Sequence, residues 1–291
     1  MRGLVWLAAV ALLAAAPADA APRRRPPADG AAAVATLTAI RQAIDEQRLL
    51  DAGRLIDEAA LKGARDVRLA LLNGELNLAQ GRYAVALASY RQAEGDPELR
   101  VRAWEGQGLA LALMGRSKDA MSLLLRVVAA DPTAWRSWNA LGAQYDEAAR
   151  WAEAEAAYAH ALEASGAAAM VLNNRGYSRL LQRRSPEAIQ DLVAAIQARP
   201  DLAQARTNLR LAIAMSGDYE RAANGGTGAD RAAWLNNAGF VAGLRGDYEA
   251  AERLLRQAQD ARGEHYARAT ENLRVIRTLS GPPSSVVDAP R

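Results

Sequence analysis

The sequence predicts an all-α protein built from stacked helix pairs. One observation is negative: runs of alternating valine and isoleucine, which are typical of strands, are missing from a chain that is 51% hydrophobic. The other is a pattern of small, aromatic and leucine residues that recurs every 34 residues. Because one short helix pair cannot bury its apolar face alone, a period of this length indicates repeats that stack on one another.

The period is clearest where residues 150–163 align with residues 184–197 at an offset of 34. The same offset places residues 138–145 on residues 172–179. Glycine on the first helix and alanine on the second allow the two helices to approach closely, and the larger residues fill the gap to the next repeat. One repeat contains the full set, which is Trp138, Leu141, Gly142, Tyr145, Ala154, Tyr158 and Ala161.

The predicted helix ends follow the same period. Gly81 and Gly246 stand where a first helix should end in a left-handed residue. Pro132 and Pro200 stand just after the predicted second helices, because the residue before proline avoids the helical region. The sequence therefore specifies both kinds of turn in a helix-pair array.

With these residues the chain resembles the tetratricopeptide repeat (TPR) family over about residues 34–279. The resemblance implies an α-solenoid, a right-handed superhelix of antiparallel helix pairs. We expect a degenerate helix pair at 34–64 and a capping helix at 265–279. Between them we expect six well-marked repeats, which start near residues 67, 101, 135, 169, 203 and 232.

The repeat that starts near residue 203 departs from the pattern. Its second helix is interrupted by the glycine-rich stretch 224–230, and the next repeat follows after 29 residues instead of 34. Glycine has high backbone freedom and little side chain to pack. We therefore expect an exposed loop or a kink at this point.

Residues 1–20 have the layout of a secretory signal peptide. Arg2 precedes an apolar run at 4–16, and Ala18 and Ala20 form a small-x-small cleavage site. The run is shorter than the ~20 residues of a membrane-spanning helix, so we expect cleavage after Ala20. The alternative is an uncleaved anchor.

The expected mature protein begins and ends in disordered segments. Residues 21–33 form a basic, proline-rich linker, and residues 280–291 form a polar tail. The sequence contains no cysteine, so we expect neither a disulfide nor a lipidated N-terminal cysteine. These features predict a periplasmic or secreted protein that is not a lipoprotein.

Paired asparagines occur twice in the same setting, at Asn173–Asn174 and Asn236–Asn237. When the repeats are aligned, Asn174, Asn208 and Asn237 share one position on the first helix, and the sequence around Asn272 matches that around Asn208 closely enough for Asn272 to join them. The arrangement resembles the asparagine ladder of O-linked N-acetylglucosamine transferases, in which the amides hold the backbone of an extended peptide. An amide group can donate to and accept from a peptide group. The alternative is that each asparagine braces the turn from the preceding repeat.

A second column of candidate groove residues lies in the N-terminal half. Arg68, Arg102 and Arg136 are 34 residues apart, and arginines in a row favour carboxylates or an acidic partner segment. The alternative is that they are solvated, and nearby acidic residues partly cancel their charge. Tyr177 and Phe240 follow their asparagines by three residues and are candidates for an apolar groove floor or for inter-repeat core.

No catalytic, cofactor or metal site is predicted. His160 and His265 lie on different repeats without an HExxH-like partner, and the sequence has no cysteine that could complete a zinc site with them. The net charge of +3 is too small and too dispersed to indicate a nucleic-acid partner. An enzyme activity would require an unrecognised site in the degenerate region 31–66.

The leading hypothesis is a non-catalytic periplasmic scaffold. Its concave groove would hold an extended or helical segment of an envelope protein, without stable membrane insertion. The stretch 205–222 is similar to TPR proteins of tight-adherence (Flp) pilus systems, which suggests pilus assembly or secretion. The alternative is a regulatory module for a cell-wall or polysaccharide enzyme, and self-association stays open.

Overall fold

The computed structural model describes residues 28–64, 66–262 and 266–280. These residues contain fifteen α-helices and no strand, which confirms the all-α expectation. The predicted signal peptide at 1–20 lies outside the described residues, as does the predicted tail at 280–291 except for Ser280, which is the last residue of the final helix. Within the described ranges, no helix combines the length and the apolar character that a membrane span requires.

The chain forms two compact units, which are residues 1–170 and 171–291. The described part of the first unit consists of four helix pairs. Their helices are α1 (Ala28–Asp45), α2 (Leu49–Leu61), α3 (Val67–Ala79), α4 (Tyr83–Ala93), α5 (Arg100–Leu113), α6 (Ser117–Ala130), α7 (Trp135–Glu147) and α8 (Trp151–Ser165). Helix α1 begins inside the stretch that we predicted to be a linker, where five of the residues 28–34 are alanine or valine.

The second unit contains three further pairs and a final single helix. The first residues of α9 lie at the boundary between the units. The helices are α9 (Ala169–Leu181), α10 (Ser185–Ala198), α11 (Ala203–Met215), α12 (Tyr219–Ala223), α13 (Gly228–Leu244), α14 (Tyr248–Arg262) and α15 (Ala267–Ser280). Helix α15 is the expected capping helix, displaced by two residues at its start.

Each turn between the two helices of a pair uses one left-handed residue at the same position. Four of the seven positions are glycine, as the sequence predicts for Gly81 and Gly246. The positions are Gln47, Gly81, Gly115, Ala149, Arg183, Gly217 and Gly246. The next residue donates its N–H to a carbonyl five residues back; Arg82 donates in this way to Asn77 at 2.8 Å. This bond ends the first helix in the manner of a Schellman motif.

Within a pair, the glycine of the first helix lies against a large side chain sixteen residues later. A Cβ atom placed on Gly142 would lie 2.6 Å from the ring of Tyr158, which is too close for two carbon atoms. The other pairs in contact are Gly74 with Tyr90, Gly108 with Leu124, Gly176 with Leu192 and Gly239 with Leu255. The two helices can therefore pack at this distance only because the first helix has no side chain there.

The second helices end where the sequence predicts. Asp131 and Arg199, which precede Pro132 and Pro200, have extended backbone angles with φ near −136° and −145°. The ring of the following proline excludes the helical conformation at both residues.

The observed break between α12 and α13 is shorter than the interruption predicted at 224–230. Helix α12 has only five residues, and α13 begins at Gly228, so the helical break covers 224–227. These residues are exposed. Arg210 donates to the carbonyl oxygens of Ala222 and Asn224 at 2.9 and 2.8 Å, and its guanidinium lies 3.5 Å from the ring centre of Trp234. The break is therefore a turn that one arginine holds in place.

Candidate partner-binding surface

The first helices of successive pairs contact one another directly. In the first unit α1 contacts α3, α3 contacts α5 and α5 contacts α7; in the second unit α11 contacts α13, and α13 contacts α15. Within each unit, the backbones of successive second helices are not in such contact among the described residues; α12 and α14 are joined only by long side chains, where Arg253 is paired with Glu220 at 3.3 Å. The first helices are therefore closer together than the second helices. We call the face that the first helices form within each unit its inner surface.

The paired asparagines form hydrogen-bond relays between neighbouring first helices. Asn208 on α11 donates its amide to the Oδ1 atom of Asn173 on α9 at 3.0 Å. Asn173 in turn donates to the Oδ1 atom of Asn174 at 3.1 Å. Each amide in the relay thus orients the next one, and the relay joins two successive repeats.

The second pair repeats the arrangement two helix pairs later. Asn272 on α15 donates to Asn236 on α13 at 3.0 Å, and Asn236 donates to Asn237 at 3.4 Å. The first asparagine of each pair, Asn173 or Asn236, is only 2% exposed. A buried amide needs hydrogen-bond partners, and the asparagine of the next repeat supplies one.

These relays separate the six asparagines into two groups. Asn173, Asn208 and Asn236 are buried and Asn272 is half-buried, and these four link neighbouring first helices through hydrogen bonds between asparagine side chains. Asn237 is exposed and Asn174 is half-buried, so both amides are accessible from the inner surface. Contact of these two residues with a partner stays a prediction.

The arginine column of the first unit already has carboxylate or aromatic neighbours inside the chain. Arg68 donates to Asp66 through its Nε atom at 2.9 Å, and Arg102 donates to Glu75 at 3.1 Å. Arg136 lies 4.8 Å from the ring centre of Trp135. The column therefore does not present three uncompensated positive charges to a partner.

Acidic groups complete the charge pattern of this inner surface. Glu75 also accepts a hydrogen bond from Arg41 at 2.9 Å, so one carboxylate lies between two guanidinium groups. Glu105 accepts a hydrogen bond from the hydroxyl group of Ser137 at 2.9 Å. Burial raises the pKa of Glu105, against the opposing effects of that hydrogen bond and of Arg136 and Arg102. The inner surface of the first unit is thus charged but internally balanced.

Tyr177 and Phe240 lie partly exposed on the first helices of the second unit. Tyr177 packs against the apolar cluster that contains Leu180 and Leu192, so it contributes to the core and to the surface. The sequence interpretation missed the leucines four residues after each aromatic residue, Leu181 and Leu244, which are 44% and 66% exposed. The register of the repeat places both leucines at equivalent positions, but it does not show that they are exposed.

The two histidines and the acidic residues are the candidates for a metal site. His160 stacks on Trp138 with 4.6 Å between the ring centres, which gives it a packing role. His265 lies outside the described residues. Across the described ranges, no cluster of three histidine, aspartate or glutamate side chains is arranged to hold a metal ion.

Comparison with known structures identifies the fold. The chain is similar to a tetratricopeptide repeat protein from Parabacteroides merdae, with a TM-score of 0.53, 16% identity, and coverage of 84% of this chain and 98% of that one. It is similar to the Pseudomonas aeruginosa pilF structure, with a TM-score of 0.52, 14% identity, and coverage of 86% and 98%.

A third similar structure is the APC/C hetero-tetramer Cut9–Hcn1, with a TM-score of 0.60 and 14% identity. The match covers 82% of this chain and 48% of that chain. No protein-family model and no curated protein matches the sequence. At these identities the comparisons show the fold alone, and that fold is the TPR solenoid.

Proposed function

We propose that the protein is a non-catalytic, exported interaction scaffold whose inner surface holds a segment of an envelope protein. One observation carries this proposal. The first helices present the accessible amides of Asn174 and Asn237 at equivalent positions, and buried amides hold both in place. An oriented amide on a solvent-facing helix suits the recognition of a peptide backbone, since it offers both a donor and an acceptor.

The cellular setting rests on the sequence. The basic residue, apolar run and small-x-small site at 1–20 favour export to the periplasm. The resemblance of residues 205–222 to TPR proteins of tight-adherence pilus systems favours a role in pilus assembly or secretion. The fold agrees with such a role without being specific to it, because the same solenoid serves many partners.

The experiment removes the two accessible amides and leaves the buried ones. We expect the double variant Asn174→Ala/Asn237→Ala to keep its folded structure and to retain envelope proteins several-fold less than the wild type. Each lost hydrogen bond should cost about 0.5–1.5 kcal/mol of binding free energy. Quantitative mass spectrometry of proteins co-purified from an envelope extract gives the measurement.

A matched control makes the same chemical change on the opposite side of the helix pairs. Gln190 on α10 and Gln257 on α14 are exposed amides of second helices. We expect Gln190→Ala/Gln257→Ala to retain the same proteins as the wild type. Equal retention by both double variants would contradict the proposal that the inner surface binds the partner.

A further inference from the structure

A short motif recurs on all four first helices of the second unit. Each asparagine in register is followed by an apolar residue three positions later and by another after seven positions. The apolar residues at the first position are Tyr177, Leu211, Phe240 and Val275, and those at the second are Leu181, Met215, Leu244 and Leu279. Residues at i, i+3 and i+7 lie on one face of a helix, so the asparagines and both apolar columns share the inner surface.

These columns contain all the exposed large apolar residues that the second unit has among its described residues. Leu181, Leu244, Val275 and Leu279 are 44%, 66%, 39% and 57% exposed. The equivalent positions in the first unit are mixed and form no such columns: the first is occupied by Arg41, Glu75, Leu109 and Ala143, and the second by Asp45, Ala79, Leu113 and Glu147. Tyr177, Leu211 and Met215 are partly buried and also pack against the core, so the exposed part of the columns consists of Leu181, Leu244, Val275 and Leu279. Exposed apolar side chains at equivalent positions of one surface are typical of an interaction site.

Charge distinguishes the second unit from the first. Between residues 171 and 280 there are 16 arginines, no lysine and 12 acidic residues, whereas residues 28–170 contain 15 basic and 19 acidic residues. The apolar columns lie between exposed arginines at both ends of the helices. Arg231 and Arg268 lie in the first turns of α13 and α15, and Arg183 and Arg245 follow the last turns of α9 and α13.

Acidic residues near these helix ends form hydrogen bonds or ion pairs within the chain. Asp218 accepts a hydrogen bond from the N–H of Arg221, and Asp247 accepts one from the N–H of Ala250, so both cap second helices. Glu271 is paired with Arg274 at 2.6 Å. Between residues 171 and 280, arginines outnumber acidic residues by 16 to 12, so the net charge of this part of the chain is positive.

We infer that the inner surface of the second unit binds an amphipathic helix that has leucine-like residues on one face and acidic residues along its flanks. This inference rests on the proposed function and specifies the chemistry of the bound segment. Packed helices lie about 8–10 Å apart, so four first helices span about 24–30 Å. An α-helix of about 16–20 residues covers that distance at 1.5 Å per residue.

Two synthetic peptides test the inference on the full chain. Both are helical peptides of about 20 residues with leucines on one face; the flanks carry glutamate in one peptide and lysine in the other. We expect fluorescence anisotropy at low salt to show the glutamate peptide binding at least about tenfold more tightly than the lysine peptide. Equal affinities, or no binding of the glutamate peptide, would overturn the inference.

A variant locates the binding site. The triple variant Leu181→Gln/Leu244→Gln/Leu279→Gln replaces exposed side chains only. We expect it to lower the affinity for the glutamate peptide by about tenfold or more. The control Leu61→Gln/Leu125→Gln changes two exposed leucines on second helices of the first unit, and it should leave the affinity unchanged. If the triple variant melts early, the single variant Leu244→Gln replaces it.

Other occupants of the columns give different results. A dimer in analytical ultracentrifugation that the triple variant disperses would mean that a second copy of the chain covers this surface, and would overturn the inference. Co-sedimentation with phosphatidylglycerol vesicles that depends on the same leucines would overturn it in favour of lipid. If the peptides fail while co-purification still depends on Asn174 and Asn237, only this inference fails and the proposed function stands.

Discussion

Asn236 shows at the level of one residue why a helix tolerates paired asparagines. Its Oδ1 atom accepts from Asn272 on the next first helix, and its Nδ2 atom donates to the neighbouring Asn237. Asparagine disfavours helix because its side chain competes for backbone hydrogen bonds. Here the side chain of the first asparagine is hydrogen-bonded to two other side-chain amides, so it links repeats instead of competing for the backbone of its own helix.

This arrangement predicts that the two asparagines of a pair respond differently to alanine. Asn236→Ala leaves the buried junction with α15 without its acceptor, and it should lower the free energy of unfolding by about 1–3 kcal/mol. Asn237→Ala removes an exposed side chain and should change it by less than about 0.5 kcal/mol. Urea unfolding of both variants measures the difference, and equal effects would show that the relay does not brace the repeats.

At the level of the helix pair, the turns between the two helices contain residues with a strained backbone conformation. Seven turns place a left-handed residue at the same position, yet Gln47, Ala149 and Arg183 are not glycine. A side chain in this conformation costs about 1–2 kcal/mol, which glycine avoids. The repeat geometry therefore holds these three residues in an unfavourable conformation.

Replacing one of these residues with glycine should stabilise the protein. Arg183 has φ near 60°, and we expect Arg183→Gly to raise the free energy of unfolding by about 1 kcal/mol. The reverse change at an equivalent turn, Gly115→Ala, should lower it by a similar amount, because Gly115 has φ near 72°. Thermal unfolding of the two variants gives shifts of opposite sign; shifts of the same sign would contradict this explanation.

The contact between the two helices of a pair gives a second prediction at this scale. Leucine at Gly142 would collide with the ring of Tyr158, whose hydroxyl donates to Asp146 at 2.9 Å. Gly142→Leu should therefore destabilise the protein by about 1–3 kcal/mol through overpacking. Gly95 has no atom within 4 Å of its Cβ position and serves as the control, since Gly95→Leu should have little effect. A Gly142→Leu variant that unfolds at the wild-type temperature would refute the close packing.

The helix pairs were predictable because their packing depends on residue size at fixed spacing. Gly142 and Tyr158 can be recognised in the sequence, since sixteen residues separate them in the same way in other repeats. The partner of Asn173 was not predictable, because Asn208 becomes its neighbour only after the repeats stack. The exposure of Leu244 could not be predicted either. A leucine at a spacing typical of a helical core is expected to be buried, and only the positions of the surrounding helices show that it is exposed.

At the scale of the whole molecule, the two units differ in the character of their inner surfaces. In the first unit, Glu75 and Arg102 exemplify charges that pair with each other. In the second unit, amides and apolar residues cover the corresponding helices, and arginines exceed acidic residues. The two surfaces therefore suit different segments of a partner, or different partners.

Export is the prediction that concerns the chain as a whole, and it falls on residues outside the described ranges. We expect cleavage after Ala20, so that the mature protein begins with Ala21-Pro22-Arg23. N-terminal sequencing of the protein from the envelope fraction checks this. Recovery of Met1 would contradict the signal peptide and favour an uncleaved anchor.

The central claim is that a partner binds to the inner surface. Site-specific photo-cross-linking in cells tests it most directly, with a photoreactive phenylalanine analogue at Asn237 or Leu244 on the inner surface and at Gln257 or Leu125 on second helices. All four side chains are exposed, so the analogue fits at each position. We predict covalent adducts with another protein from the two inner positions and none from the two outer ones. Adducts from Gln257 or Leu125 alone would contradict the account.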